Sequence, residues 1–149
     1  MRIKLEIDID PPRGATTQMT TRLVPTPHQA RVYDLPSLFA GKLHAVLCRR
    51  WKTRVKGRDF YDLVWYIGRR VPLNLSHLEA RIRQSGDWLH ERPLDSAGLS
   101  LLLQERFTTI DFDQAKEDIV PFLKDQRELA LWSQGFFSEL IPQIQIAAI

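Results

Sequence analysis

The sequence predicts an α+β fold, in which a short sheet near the amino terminus precedes a predominantly helical remainder. Residues 3–9 alternate strictly between apolar and charged side chains, which is the period of a strand with one buried face. From Asp34 onward, apolar residues recur every three to four positions, which is the period of an amphipathic helix. The change of period places the junction between sheet and helices just before Asp34.

The first predicted strand has an apolar face and ends at Pro11. Its apolar face consists of Ile3, Leu5, Ile7 and Ile9. Shorter strands are predicted at 22–24 and 31–33. Two or three short strands do not make a stable sheet alone, so we expect strand 3–9 to lie at the edge of a sheet whose earlier strands are missing or come from elsewhere. Such an edge pairs readily with another chain, and self-association through residues 3–9 is therefore expected.

The first helix is predicted to begin after Asp34, a capping residue, with Pro36 in its first turn. Its apolar stripe is Leu35, Leu38, Phe39, Leu43, Val46 and Leu47. A second helix follows a basic connector and packs through Phe60, Leu63, Val64 and Ile67, which places Asp59 and Asp62 together on a neighbouring face. Weaker helical patterns lie at 76–83, 95–105, 112–123 and 133–144.

The composition favours an ordinary globular protein. Hydrophobic residues make up 44% and charged residues 26% of the chain, and no apolar run reaches the ~18 residues that a membrane helix requires. The single cysteine, Cys48, excludes an internal disulfide, and the chain opens on a strand pattern rather than a signal segment. We therefore expect a cytoplasmic protein.

Basic residues are concentrated between Lys42 and Arg58, a stretch without any acidic residue, although the net charge of the chain is only +3. Such a patch attracts phosphate groups of nucleotides or nucleic acids. The alternative is a solvated, charged loop.

Lys42 lies in the helical pattern with aliphatic residues one turn away on either side, and Asp59 and Asp62 follow on the next helix. A lysine and two carboxylates on adjacent helices suit a metal-bound triphosphate, because carboxylates hold magnesium and lysine neutralises phosphoryl charge. The structural alternative is that Asp59 interacts with the positive end of its helix while Lys42 pairs with Asp62 between the helices.

Two segments together resemble a known family. Residues 35–47 read LPSLFAGKLHAVL, and residues 56–63 read KGRDFYDL. The pair is similar to the E-K-L-x-A-L and K-G-R-D-x-Y-D-L helices of the AbiEii/AbiGii nucleotidyltransferase toxin family. The similarity covers residues 1–70, with a weaker extension at 118–123.

The resemblance implies that residues 1–70 are the later part of a polymerase-beta-like nucleotidyltransferase domain, with the edge of its mixed sheet, and that residues 71–149 form a helical lobe. It further implies magnesium-dependent transfer from a nucleoside triphosphate to an RNA acceptor, transfer RNA included, or to a protein, and pairing with a cognate antitoxin.

By the same resemblance, Lys42 would contact the nucleotide phosphates, supported by Lys56 and Arg58, and would form the catalytic group with Asp59 and Asp62. Glu6 would be the metal-binding carboxylate on the sheet, with Asp8 on the same face as its alternative.

The chain departs from the family at its opening motif, a Gly-Ser turn followed by an Asp-x-Asp strand that holds the metal. Residues 8–10 spell an acidic pair, but they run directly into Pro11 and no Gly-Ser turn precedes them. We therefore expect the 149-residue chain to be inactive or incomplete as a transferase. The alternative is a non-catalytic module that binds nucleic acid or an acidic partner through the basic patch 42–58.

Overall fold

The computed structural model describes residues 3–5, 7–51 and 54–148 of the chain. Within these ranges, an antiparallel hairpin of two strands, β1 (Thr17–Arg22) and β2 (His28–Tyr33), precedes six α-helices. The helices are α1 (Leu35–Cys48), α2 (Gly57–Gly68), α3 (Leu75–Gln84), α4 (Ser96–Thr108), α5 (Phe112–Ile119) and α6 (Gln134–Leu140). The predicted α+β class is confirmed.

The predicted strand at residues 3–9 is not formed in the described part of this segment, and the prediction of a buried face is wrong there. Ile3, Leu5, Ile7 and Ile9 are exposed by 78%, 82%, 77% and 93%. A strand is stabilised by hydrogen bonds to the backbone of a neighbouring strand, and among the described residues β1 and β2 pair only with each other. The alternating pattern therefore marks an apolar face that nothing in the described chain covers.

The hairpin pairs Thr17 with Tyr33 at its open end and Arg22 with His28 at its closed end. The predicted strand at 31–33 is confirmed as the end of β2, whereas residues 23 and 24 lie in the connection between the strands, where Pro25 and Pro27 lack the N–H groups a ladder needs.

Helix α1 begins as the sequence predicts, because the Asp34 carboxylate accepts a hydrogen bond of 3.0 Å from the backbone N–H of Ser37. Its buried face consists of Ser37, Phe39, Ala40, Leu43 and Val46. Leu35 and Leu38, predicted in the apolar stripe, are 46% and 41% exposed, and Leu38 lines an open pocket rather than the core.

Helices α5 and α6 end earlier than the sequence patterns predict. Each continues as a short 3₁₀ turn, Val120–Phe122 after α5 and Ile141–Gln143 after α6. Both turns contain a proline, Pro121 or Pro142, which lacks the N–H that would continue the α-helical hydrogen bonds. The apolar period continues through these prolines, but the α-helical backbone does not.

A single hydrophobic core joins the helices on both sides of residue 70. Its centre is aromatic: Phe137 stacks on Phe112 with ring centroids 4.8 Å apart and meets Phe60 of α2 edge-on at 5.3 Å. The predicted domain division at residue 70 remains a prediction, but α1 and α2 are held in place by α3 to α6.

Gly57 lets α2 approach α5 closely. A Cβ atom at this position would lie 2.0 Å from the carbonyl oxygen of Ala115, so no larger residue fits without movement of the backbone. The N–H of Gly57 donates to the Asp118 carboxylate at 3.0 Å. The glycine of the KGRD motif is thus explained by packing, and it fixes the start of the helix that carries Asp59.

Asn74, fully buried, joins α3 to α1 and to the segment before β1. Its amide nitrogen donates to the Gly14 carbonyl at 2.8 Å and to the Ser37 hydroxyl at 3.2 Å, while its oxygen caps α3 by accepting from the N–H of His77 at 3.0 Å. These bonds hold the first turn of α3 beside α1.

Candidate functional site

A pocket of about 290 Å³ lies where α1, α2 and α3 meet the end of β2. Three of its lining side chains are cationic: Lys42 from α1, Arg49 directly after α1, and Arg81 from α3. One is acidic, Asp59 from α2. We call it the Lys42 pocket. The described geometry therefore brings Lys42 and Asp59, both predicted site residues, to one cavity.

Lys42 pairs with Asp62 across the α1–α2 interface, with 2.7 Å between Nζ and Oδ2. The two side chains are 48% and 32% exposed. This contact is the pairing that the structural alternative predicts. An ion pair this exposed contributes little to stability, so the lysine remains available to an incoming anion.

Arg49 pairs with Asp59, which is buried in the first turn of α2. The distances from Nη1 of Arg49 to the two carboxylate oxygens are 2.8 and 3.2 Å, and the Asp59 side chain is only 4% exposed. Burial raises the pKa of Asp59 above its ordinary value, and the charges of Arg49, Arg58 and Lys42 lower it without cancelling that effect. Asp59 thus holds Arg49 in the pocket while retaining a tendency to take up a proton.

Arg81 supplies the third cation of the Lys42 pocket. Its Nε is buried and has no hydrogen-bond partner in the described part of the chain. One helical turn before it, His77 is 1% exposed and its Nδ1 lies 2.8 Å from the Arg13 carbonyl oxygen. An unsatisfied donor on a pocket-lining arginine is a group that an anionic ligand would satisfy.

Sequence reasoning missed Arg49 and Arg81 as members of this pocket. Arg49 belongs to the basic patch by its position in the sequence, but it also follows Lys42 by seven residues, or two helical turns, and so caps α1 on the side of Lys42. Arg81 gave no such signal, because its place depends on how α3 packs against α1 through Asn74.

The other predicted site residues lie elsewhere. Lys56 and Arg58 line a separate pocket of about 300 Å³ together with Arg54, Asp118 and Phe122, rather than the Lys42 pocket. Glu6, the predicted metal ligand, lies outside the described residues.

The described residues do not fit a magnesium site. Magnesium requires several oxygen ligands in octahedral arrangement, but the carboxylates of Asp59 and Asp62 are already engaged by Arg49 and Lys42. Across residues 3–5, 7–51 and 54–148, no group of three or more His, Cys, Asp or Glu side chains is placed to hold a metal ion. The cationic side chains of the Lys42 pocket, Lys42, Arg49 and Arg81, instead suit an anion.

Cys48 carries no reactive character. Burial, with a further contribution from the Asp87 carboxylate, raises the pKa of its thiol to about 11, so that the thiol stays protonated at neutral pH. Its place beside the core on α1 agrees with a packing role.

A family model described as "Nucleotidyl transferase AbiEii toxin, Type IV TA system" matches residues 1–137. The match covers most of the chain and extends past the resemblance seen at residues 1–70, into α6. The chain belongs to this family of nucleotidyltransferase toxins. No significant match was found among curated proteins or among solved structures. Of the helices in the described ranges, none is both long and apolar enough to cross a membrane.

Proposed function

We propose that the Lys42 pocket binds the phosphates of a nucleoside triphosphate. The observation that carries this proposal is the convergence of Lys42, Arg49 and Arg81 on one open pocket whose one acidic lining residue, Asp59, is already paired with Arg49. With Asp62, the partner of Lys42, also counted, the three cations exceed the two carboxylates by one charge, and this excess, together with the unsatisfied Nε of Arg81, favours an anion.

The reaction proposed for this site is nucleotidyl transfer to an RNA acceptor, transfer RNA included, or to a protein. An acceptor hydroxyl gives its proton to solvent water and bonds to the α-phosphorus, while the bond from that phosphorus to the bridging oxygen breaks and pyrophosphate leaves. Lys42 would neutralise the charge of the leaving pyrophosphate. Asp62 keeps the ammonium group of Lys42 in place. Asp59, the pKa of which is raised by burial, is proposed as the third catalytic residue beside Lys42 and Asp62.

The remaining predicted roles belong to the same proposal. Lys56 and Arg58 would contact nucleotide or acceptor phosphates from their neighbouring pocket. Magnesium would enter as part of the nucleotide complex, with Glu6 proposed as a protein ligand outside the described residues. Because Asp59 and Asp62 are committed to ion pairs, we propose that the 149-residue chain binds nucleotide but transfers it slowly or not at all without additional carboxylates.

Membership of a type IV toxin–antitoxin family implies a cognate antitoxin as partner. We place the action of the protein in the cytoplasm, where nucleotide and RNA acceptors are available.

A second candidate function is non-catalytic binding of nucleic acid or of an acidic partner through the basic patch 42–58. It is favoured by a neighbouring pocket lined by four arginines, three of which also pair with carboxylates beside it, those of Asp59, Asp87 and Asp118. Binding to phosphate backbones weakens steeply with salt and needs no magnesium, whereas binding of a nucleotide as its magnesium complex depends on the ion. Titration with magnesium at constant ionic strength therefore distinguishes the two functions.

The proposal is tested by titrating the chain with each of the four ribonucleoside triphosphates by calorimetry, with and without magnesium. Removing one charge-assisted contact costs about 1.5–3 kcal/mol, so Lys42→Ala is expected to weaken binding about 10- to 100-fold. The exposed Lys124, which lines none of the pockets described, provides the matched control Lys124→Ala, expected to bind as the wild type does. Equal binding by Lys42→Ala and wild type would contradict the proposal. In a form that transfers nucleotide, the same substitution should abolish incorporation of labelled nucleotide.

A further inference from the structure

The Lys42 pocket follows α1 and changes in chemical character along it. At the rise of an α-helix, Lys42 comes about 7.5 Å after Ser37 along the axis, and Arg49, the cap, comes about 18 Å after it. Arg81 reaches the middle of this path, because a Cβ atom at Gly41 would lie 3.9 Å from its guanidinium carbon. The three cations of the pocket therefore lie from Gly41 onward, and we call this part the cationic end.

The first turn of α1 forms the opposite end of the pocket. Its lining residues are Tyr33, Ser37, Leu38 and His77, and none of them is an acid, a lysine or an arginine. Tyr33 is 41% exposed, and its ring centroid lies 6.2 Å from that of His77. Asn74 fixes His77 beside α1, since it accepts from the N–H of His77 at 3.0 Å and donates to the Ser37 hydroxyl at 3.2 Å. We call this part the aromatic end.

The His77 ring is held in one tautomer. Its Nδ1 lies 2.8 Å from the carbonyl oxygen of Arg13, and a carbonyl oxygen only accepts hydrogen bonds. Nδ1 therefore carries the hydrogen, and Nε2 of the neutral ring is an acceptor. In the part of the chain that the structure describes, Nε2 has no hydrogen-bond partner. His77 is 1% exposed, so its ring presents this acceptor at a fixed place in the pocket wall.

Most other acceptors of the pocket are already used. The Asp59 carboxylate is engaged in its ion pair, and the Ser37 hydroxyl accepts from the backbone N–H of Thr16 at 2.8 Å. Nε2 of His77 and the Tyr33 hydroxyl remain. The phosphates of a nucleotide carry acceptor oxygens, whereas its hydrogen-bond donors belong to the sugar and the base. An unpaired acceptor at the aromatic end therefore suits the nucleoside rather than the phosphates.

We infer that the nucleoside of the bound triphosphate lies at the aromatic end, with its base on the Tyr33 ring and a ribose hydroxyl donating to Nε2 of His77. The inference rests on the proposed function, which places the phosphates at the cationic end. The reverse orientation would put the phosphate charge where no lysine or arginine lines the pocket and would leave the buried Nε2 unpaired. The pocket is thus selective for ribonucleotides over nucleotides that lack the recognised hydroxyl.

The test is calorimetric titration of the full chain with a ribonucleoside triphosphate, its 2′-deoxy and 3′-deoxy analogues, and inorganic tripolyphosphate. Loss of one neutral hydrogen bond should make one of the two analogues bind about 3- to 10-fold more weakly than the ribonucleotide. This comparison uses the wild-type chain and needs no substitution at the buried His77. His77→Ala should abolish the difference by lowering the affinity for the ribonucleotide to that for the analogue.

Variants of Tyr33 test the base contact. Tyr33→Leu should weaken nucleotide binding about fivefold or more, because it removes a stacking ring, while tripolyphosphate binding should change by no more than about twofold. Tyr33→Phe keeps the ring and is the matched control. For His77 the control is His28→Ala: His28 is exposed and has the same contact from Nδ1 to a carbonyl, that of Thr26 at 2.8 Å, but lies outside the pocket.

The outcomes separate this inference from the proposed function. Equal affinity of the wild-type chain for the ribonucleotide and both deoxy analogues would overturn the inference. So would equal weakening of nucleotide and tripolyphosphate binding by Tyr33→Leu, or no weakening of either. In all these cases, nucleotide binding that Lys42→Ala weakens would leave the proposed function standing. A chain that binds neither nucleotide nor tripolyphosphate would overturn both.

Discussion

Two ion pairs join α1 and its C-terminal cap, Arg49, to α2, and we predict that their loss lowers stability by unequal amounts. Lys42–Asp62 is exposed, with side-chain exposures of 48% and 32%, whereas Asp59 in the Arg49 pair is only 4% exposed. Lys42→Ala leaves a partly hydrated carboxylate and should cost at most about 1 kcal/mol. Arg49→Ala leaves a buried, uncompensated carboxylate.

Removing one partner of a buried pair costs about 3–5 kcal/mol. We place Arg49→Ala lower, at about 2–4 kcal/mol, because Arg49 itself is 42% exposed and Asp59 can take up a proton. At about 3 °C per kcal/mol for a chain of this size, the melting temperature should fall by about 6–12 °C, compared with no more than about 3 °C for Lys42→Ala.

The pH dependence of the Arg49→Ala deficit tests its cause. A carboxyl whose pKa is higher in the folded than in the unfolded state favours folding at low pH, and that contribution is lost as the pH rises through the folded-state value. Burial already raises the pKa of Asp59, and removal of Arg49 takes away a charge that lowers it. The deficit should therefore shrink as the pH falls from neutrality toward the folded-state pKa.

Thermal unfolding followed by circular dichroism between about pH 5 and pH 8 measures both effects, since the ordinary aspartate pKa lies near 4. Equal losses in Lys42→Ala and Arg49→Ala, or a loss in Arg49→Ala that is independent of pH, would refute the assignment of Asp59 as a buried charge held by Arg49.

Three further predictions follow from the packing. Gly57→Ala should lower the free energy of unfolding by about 1–3 kcal/mol in urea titrations, because its Cβ would lie 2.0 Å from the Ala115 oxygen. Gly68→Ala, with open space around the new Cβ, should leave the free energy of unfolding free of this steric loss. Equal stability of the two variants would contradict this. With a pKa of about 11, only about one Cys48 thiol in a thousand is ionised at pH 8, so its reaction with a disulfide reagent should be slow in the native protein and fast in denaturant; fast native reaction would show the thiol to be activated. Light scattering after size exclusion should show concentration-dependent self-association that Ile7→Lys reduces, and a chain that is monomeric at every concentration would exclude pairing through residues 3–9.

The start of α1 could be predicted from the sequence because the relevant forces are local. Asp34 and Pro36 define the cap within one turn, and the apolar period defines the helix that follows. The pairing of Lys42 with Asp62 was open to prediction for a similar reason, since both residues belong to motifs with fixed helical phase.

What the sequence could not predict depends on non-local packing. Alternation at residues 3–9 indicates which face is apolar, but not whether a partner strand exists to cover it. Arg81 reaches the Lys42 pocket only because Asn74 joins α3 to α1. Lys56 and Arg58 share a motif with Asp59, yet the close approach of α5 at Gly57 places them in a different pocket.

The most direct test of the central claim is a crystal structure of the chain with a non-hydrolysable nucleoside triphosphate. The account predicts phosphate oxygens within hydrogen-bond distance of the Lys42 ammonium group and of the Arg81 guanidinium, with Arg49 still paired to Asp59. A nucleotide bound with its phosphates outside the Lys42 pocket, or no bound nucleotide at concentrations that saturate binding in solution, would contradict it.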